Sequence, residues 1–372
     1  MKIGFDAKRL FKNFTGLGNY SRTLVHNLRE QFPENEYFLF TPGTRLSPRT
    51  KPFFNEEHFR IVMPGNLALF WRSHRILYNQ VFKELDVYHG LSHELPFGIS
   101  GSGVFKVVTI HDLIFQYFPQ DYAPVDRKIY QVKFKYACQH ADEIIAISNQ
   151  TKEDIIKYYG ISPEKIHVIY QSCDPRFSTP VPPGKVDEVK AKYHLPDDYM
   201  LYVGSVIGRK NLGNIIRAMD QLGKAQSPPL VIIGSGRKYE REVRELIRSR
   251  KLEHACHWIS PAFEEFPAVY KGARIFILPS YFEGFGIPLL EAMSVGTPVI
   301  TSDQSALKEI IGNAGITVPP GQPEAIGQAI EKLASDDILH EQLRSKGRER
   351  AGIFLPAHLS SQIMDVYQRS GI

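Results

Sequence analysis

Two glutamates, Glu283 and Glu291, stand eight positions apart in YFEGFGIPLLEAMSVGTPVI, residues 281–300, where glycine and proline forbid one continuous helix. Ile275–Leu278 reads as a short apolar strand, Pro279–Gly286 as a turn-rich loop, and Pro288 as the first turn of a helix running to about Gly296. Gly286 and Ile287 then offer backbone N–H groups at a helix N-terminus, which suits an anion, phosphate above all. Glu291, about one turn inside that helix, projects beside the anion site and can accept two hydroxyl hydrogen bonds from a ribose. Glu283, in the loop, sits on the other side and faces whatever the phosphate carries. The competing reading is a solvated loop glutamate and a helix glutamate favoured by the macrodipole.

Other residues suggest related chemistry. Arg209 and Lys210 follow the Tyr202–Val203 strand just before a helix, where a guanidinium fork and an ammonium can clamp a diphosphate and stabilise it as a leaving group. A plain surface basic pair is the alternative. Gly234 and Gly236 in IIGSGRK form a strand-to-helix turn that lets a nucleotide approach the backbone, or a tight turn and nothing more. Gly16 and Gly18 in TGLGNY read as a loop after the first strand, ahead of a helix over Ser21–Gln31. His111 ends the strand VVTIH, at a carboxyl-terminal edge that faces a cleft, unless it is a structural histidine bonded to Asp112. His89 and His93 in YHGLSHELP have the spacing of a metal pair on a helix, but the glycine and proline oppose a helix and no third ligand is evident, so they line an acceptor side with Glu94. The segment 67–82 mixes aromatics with Arg72 and Arg75, and reads as a helix that packs in the core or touches a lipid-linked acceptor at a membrane surface.

These residues need scaffolding. Strands over Lys2–Phe5, Glu36–Phe40, Val87–His89, Lys106–Ile110 and Glu143–Ile147 alternate with helices over Arg127–His140 and Gln150–Tyr159. A second series runs through Met200–Val203, Leu230–Ile233, His257–Ile259, Ile275–Leu278 and Pro298–Thr301, with helices over Lys238–Ser249 and Pro323–Ala334. The pattern is α/β and predicts two Rossmann-like doubly wound domains facing a cleft, ligands lying outside the carboxyl ends of their strands. STPVPPGK at 178–185 marks the boundary, giving domains of 1–175 and 176–355, with a final helix at about 356–372 packing back on the first.

Composition narrows the function class. The chain has 372 residues and 43% hydrophobic content, enough for two cores. Cys138, Cys173 and Cys256 are odd in number and unclustered, which opposes a disulfide framework and fits a reducing cytoplasm. A net charge of +5, spread without a dense run, favours phosphates or lipid head groups over nucleic acid. The opening MKIGFDAKRLF lacks the pattern of a secretory signal, and no stretch of about 18 apolar residues reads as a transmembrane helix.

Several motifs, in order and over nearly the whole chain, resemble retaining glycosyltransferase family 4, the group 1 glycosyl transferases of GT-B architecture. They are TGLGNY at 15–20, TIHD at 109–112, YVGSVIGRKN at 202–211, IIGSGRKYE at 232–240, and the Glu283-x7-Glu291 pair with GTPVI. The resemblance implies an acceptor-binding first domain and a second domain that binds a nucleoside-diphosphate sugar. It implies Glu283, His111, Lys210 and Arg209 as catalytic residues, and Glu291, Gly286, Ile287, Gly16, Gly18, Gly234 and Gly236 around the nucleotide. Many members carry an arginine where this chain has Ser205, which makes Arg209 the substitute. The implied reaction is same-face transfer to an acceptor hydroxyl, in which the departing phosphate takes the acceptor proton. Cell-surface polysaccharide assembly is the implied setting, with a glycan or lipid-linked acceptor and peripheral association with the inner membrane face. No D-x-D occurs in the chain, so no metal or cofactor is expected. A nucleotide-sugar epimerase or a sugar phosphorylase on the same architecture, or a non-catalytic nucleotide-sugar sensor, are the alternatives.

Overall fold

Short runs of β-branched and aromatic residues alternate with amphipathic helices along the chain. A computed structural model, describing residues 1–64, 71–223 and 227–371, folds them into two parallel sheets. The first comprises β1 (Lys2–Asp6), β2 (Glu36–Phe40), β3 (Arg60–Val62), β4 (Val87–Gly90), β5 (Phe105–Ile110), β6 (Glu143–Ala146) and β7 (Ile166–Val168), in the order β3-β2-β1-β4-β5-β6-β7. The second comprises β8 (Met200–Val203), β9 (Leu230–Ile233), β10 (Cys256–Ile259), β11 (Ile275–Leu278), β12 (Val299–Ser302) and β13 (Gly315–Val318), in the order β10-β9-β8-β11-β12-β13. Each order reverses once, between β1 and β4 and between β8 and β11. At such a reversal the loops leaving adjacent strands splay apart and leave room for a ligand.

The chain divides into one unit of Met1–Ser172 together with the C-terminal segment from Phe354, and a second of Cys173–Ile353. The helix Pro356–Gln368 buries Leu359, Ile363, Met364 and Tyr367 in the same core as Ile3, Phe5 and Leu24. The Tyr367 hydroxyl lies 2.6 Å from His89 Nδ1, so this helix is tied to β4 by a buried polar contact as well as by apolar area.

Three strands escape the sequence reading: β3, β7 and β13. All lie at sheet edges and carry exposed or half-buried residues, so the apolar signal that marks a doubly covered strand is diluted. Gly16 and Gly18 are not in a loop; the helix runs over Gly16–Gln31. The cause is Asn13, whose Oδ1 accepts the N–H groups of Thr15 at 2.8 Å and Gly18 at 3.2 Å and so satisfies an extra turn. A Cβ at Gly18 would stand 1.8 Å from the Asn13 carbonyl oxygen, so glycine here serves a close backbone approach. Arg22 braces the same corner through the carbonyls of Leu10 and Asn13 and the Asn19 side chain. The helix expected over 67–82 falls outside the described residues at 67–70. Beyond them it is a 3-10 turn at Arg75–Tyr78 and a one-turn helix at Gln80–Lys83, with Trp71 and Ile76 in the core.

Candidate functional site

In the second unit, the loops leaving β8 and β11 bring three of the expected residues together. Lys210 Nζ stands 3.0 Å from Glu283 Oε1, and an Arg209 guanidinium nitrogen 3.3 Å from Oε2. All three side chains are nearly buried, with 10 to 14% of each exposed. Ser280 Oγ donates to Glu283 Oε1 at 3.0 Å, and the Glu283 N–H donates to Ser305 Oγ at 3.1 Å. Burial alone would raise the Glu283 pKa, but Lys210, then Arg209, outweigh it and hold it at about 2, so the group is a carboxylate. Arg209 is further fixed to its loop: it donates to the Phe282 carbonyl, and its own carbonyl accepts from the Tyr281 N–H at 2.9 Å. Lys210 lies over Gly204, where a Cβ would meet its Cδ at 3.1 Å. Ser205 is exposed.

Glu291 projects from the helix Ile287–Val295, whose N-cap Gly286 has φ 108° and whose C-cap Gly296 has φ 82°, both in the region that favours glycine. It is buried, and one oxygen accepts the Tyr270 hydroxyl at 2.6 Å. Burial raises its pKa to about 7, against a partial offset from that hydrogen bond, with Asp174 adding to the rise. The two glutamates therefore differ in charge state at neutral pH. Glu283 is ionised and paired, whereas Glu291 is poised between its two forms.

Gly234 and Gly236 have a structural reason to be glycine. A Cβ at Gly234 would stand 1.9 Å from the Gly204 oxygen, and one at Gly236 2.0 Å from the Val206 oxygen, because the two chain segments extend the β8–β9 pairing through a Val206–Gly236 bridge. The Gly236 N–H is held by Glu240 at 2.7 Å. Gly236→Ala is expected to cost at least about 2 kcal/mol of ligand-free stability, since backbone must move to admit the methyl. Urea unfolding checks it, and an unchanged midpoint would refute the packing argument.

In the first unit, His111 is buried and neutral near pH 7. Burial lowers its pKa to about 4, Nε2 donates to the Leu91 carbonyl at 2.9 Å, and Nδ1 lies 3.5 Å from Gln171 Nε2. Tyr20 packs edge-on against the ring at 4.6 Å. His89 does not line a surface: it is fully buried, its nitrogens bonded to Tyr367 and Thr109, and burial lowers its pKa to about 3. His93, at φ 65°, stacks on Phe134 at 4.2 Å. Glu94 pairs with Arg72 and Lys133 at 3.0 and 3.1 Å. Among the described residues no group of three or more His, Cys, Asp and Glu gathers as a metal site would require, and all three cysteines are free.

Sequence reasoning missed Ser280, Ser305 and Tyr270, which orient the two glutamates. No local pattern announces them, although Ser305 has φ 55°, a conformation that few non-glycine residues adopt.

Comparison with known proteins adds an independent line. The family described as Glycosyltransferase Family 4 matches residues 14–177, and that described as Glycosyl transferases group 1 matches residues 186–350. The O-antigen chain mannosyltransferase B of Escherichia coli is 28% identical over 386 residues, spanning 99% of this chain and 100% of its own. The O-antigen chain mannosyltransferase RfbU of Salmonella typhimurium is 26% identical over 229 residues, 61% of this chain and 60% of its own. The structure of Anabaena HepE, solved with UDP and glucose, superposes with a TM-score of 0.78 at 16% identity, over 99% of this chain and 100% of that one, and so shares its fold.

Proposed function

We propose that this chain, which belongs to the group 1/family 4 glycosyltransferases, moves a sugar from a nucleoside-diphosphate sugar to a hydroxyl of a glycan or lipid-linked acceptor, with retention of configuration. The observation that carries the reading is the buried Glu283–Lys210–Arg209 cluster at the β8/β11 reversal. Two cations held by a single carboxylate leave positive charge for a diphosphate, and the carboxylate they release can face the electron-poor anomeric carbon. Glu291 takes the ribose hydroxyls, beside a helix N-terminus at Gly286 and Ile287 suited to phosphate. The acceptor hydroxyl attacks the face the diphosphate leaves, and a phosphate oxygen takes its proton. His111 positions the sugar as a neutral hydrogen-bonding ring, which its lowered pKa supports. The charge a divalent metal would otherwise supply comes from Lys210 and Arg209. Since the relatives above are named mannosyltransferases, a mannosyl donor is the first to try.

The test incubates the chain with nucleoside-diphosphate sugars, with and without an acceptor glycan. Nucleoside diphosphate is expected to appear only with the acceptor, and to keep appearing in EDTA. Interconversion of the donor sugar without any acceptor would replace this reading by epimerisation, and loss of turnover in EDTA restored by magnesium or manganese would remove metal independence.

Peripheral association with an anionic membrane is part of the same reading. No helix among the described residues is long and apolar enough to cross a membrane. The helix Pro124–His140 leaves Val125, Ile129 and Val132 exposed by 70, 43 and 53%, with Arg127, Lys128 and Lys135 exposed around them. Co-sedimentation with phosphatidylglycerol vesicles should exceed that with phosphatidylcholine and fall in Ile129→Glu; equal binding to both lipids would discard it.

A further inference from the structure

Charges near the carboxyl ends of β1 and β4 are mostly compensated. Arg72 bonds Asp6 at 2.6 Å and Glu94 at 3.0 Å, and Lys133 reaches Glu94 at 3.1 Å. Lys8 and Arg9, the second and third residues past β1, are the exceptions. Both are half-buried, neither forms an ion pair or side-chain hydrogen bond among the described residues, and the Arg9 Nε is buried without a partner. Ser92 joins them: it is 3% exposed, and its Oγ is also buried without a partner. Adjacent strands send the segments that carry them out at the same end of the sheet. Phe5 lies opposite His89 in the β1–β4 pairing, and Lys8 and Ser92 each stand three residues beyond that pair. β1 and β4 are also the strands at which this sheet's order reverses.

Donors left unsatisfied in a partly buried place cost free energy, so their accumulation calls for an acceptor. Asp6 and Glu94 are answered by Arg72 and Lys133, and the charges of Lys8 and Arg9 are left over. A phosphoryl group, anionic at neutral pH and offering several acceptor oxygens, matches that surplus better than a carboxylate or a neutral hydroxyl. Burial, followed by repulsion from Arg72 and Arg9, holds the Lys8 ammonium below its usual pKa, a penalty that an arriving anion relieves. His93 and His111, within electrostatic reach of Arg9, are kept neutral by burial and do not add to the positive charge.

We propose that Lys8, Arg9 and Ser92 form a phosphoryl-binding subsite in the first unit. Its occupant is a phosphate group that a substrate carries, either on the acceptor or in the donor's diphosphate. The proposal rests on the glycosyltransferase reading only for which substrate that is.

Inorganic pyrophosphate, titrated calorimetrically into the full-length chain, tests it. Lys8→Gln with Arg9→Gln is expected to weaken one class of pyrophosphate sites by about tenfold or more, the scale of a lost charge-assisted hydrogen bond, and Ser92→Ala to weaken it less. Circular dichroism confirms folding, and Lys8→Gln alone serves if the double variant unfolds. Neutralising the exposed Arg127 and Lys128 together is the control. Every class of pyrophosphate site keeping its affinity in the Lys8 and Arg9 variants, or an equal fall in the control, overturns the subsite. An affinity for UDP or GDP that falls in parallel assigns the phosphate to the donor; an unchanged one assigns it to the acceptor. Pyrophosphate carries neither base nor sugar, so the result stands whether or not sugar transfer is found.

Discussion

Glu283→Gln is expected to lower turnover by about 10²- to 10³-fold, the range for removing one group aimed at transition-state charge, while nucleoside diphosphate affinity holds or rises. The rise follows from the ion pairs. Glu283 occupies Lys210 at 3.0 Å and Arg209 at 3.3 Å, so a diphosphate bound as proposed would have to compete with a resident carboxylate for the same cations. Glutamine removes that competitor. It also leaves two nearly buried cations without a counter-charge, so the free variant should lose stability by about 3 kcal/mol, the usual scale for breaking one side of a buried pair. Nucleoside diphosphate should then raise the melting temperature more in the variant than in the parent chain. Lys210→Ala gives the contrasting pattern, with binding and turnover falling together, because a charge-assisted contact worth about 1.5 to 3 kcal/mol is lost in both states. Steady-state kinetics beside calorimetry decide the matter. Full turnover in Glu283→Gln, or nucleoside diphosphate affinity that drops as far as in Lys210→Ala, would remove Glu283 from its assigned place.

Which parts of this arrangement can be read from sequence follows from covering. Strands buried on both faces, such as β8, β9 and β11, announce themselves as unbroken apolar runs, and their bounds coincide with the expected ones. Edge strands need bury only part of their side chains, which dilutes the signal of β3, β7 and β13, although the edge strand β10 is still legible. Individual candidate residues carry a similar signal, because Gly286, Pro288 and Glu291 share one helix start whose chemistry is local. Pairing is not local. Glu283 comes from the loop after β11 and Lys210 from the turn after β8, and only the adjacency of those two strands makes one the counter-ion of the other. The same limit hid Tyr270, whose bond to Glu291 joins two helices, and Ser92, whose segment leaves β4 beside the one that carries Lys8 from β1. Glycines carry a second meaning that sequence does not separate from the first. Gly18, Gly234 and Gly236 fit ligand loops in sequence, and in the fold each also has a backbone oxygen about 2 Å from where its Cβ would be.

Glu291 makes the second large prediction, through pH. Its carboxyl titrates near 7 in the folded chain, raised by burial despite the Tyr270 hydrogen bond, against 4.5 as its ordinary value. The native state thus keeps a proton that the unfolded chain gives up. The associated stability is fully present below about pH 4.5, declines as pH rises, and is gone above about pH 7, a difference on the order of 3 kcal/mol. Ribose recognition as proposed for Glu291 would run the other way, since two hydroxyl donors require the carboxylate with both oxygens accepting. Nucleoside diphosphate affinity should therefore strengthen as pH passes upward through 7, the bound ribose stabilising the ionised form that the empty site disfavours. Glu291→Gln separates the two effects. It keeps the size of the protonated form, so the free variant is expected to melt above the parent chain at pH 8 and close to it at pH 4.5, while binding nucleoside diphosphate more weakly at pH 8. The diphosphate itself titrates near pH 6, so the quantity to compare is the difference between parent and variant across pH 6 to 8. Calorimetric titrations that trace parallel curves for the two chains, or a variant no more stable than its parent at pH 8, would show that Glu291 neither holds the ribose nor carries the buried proton.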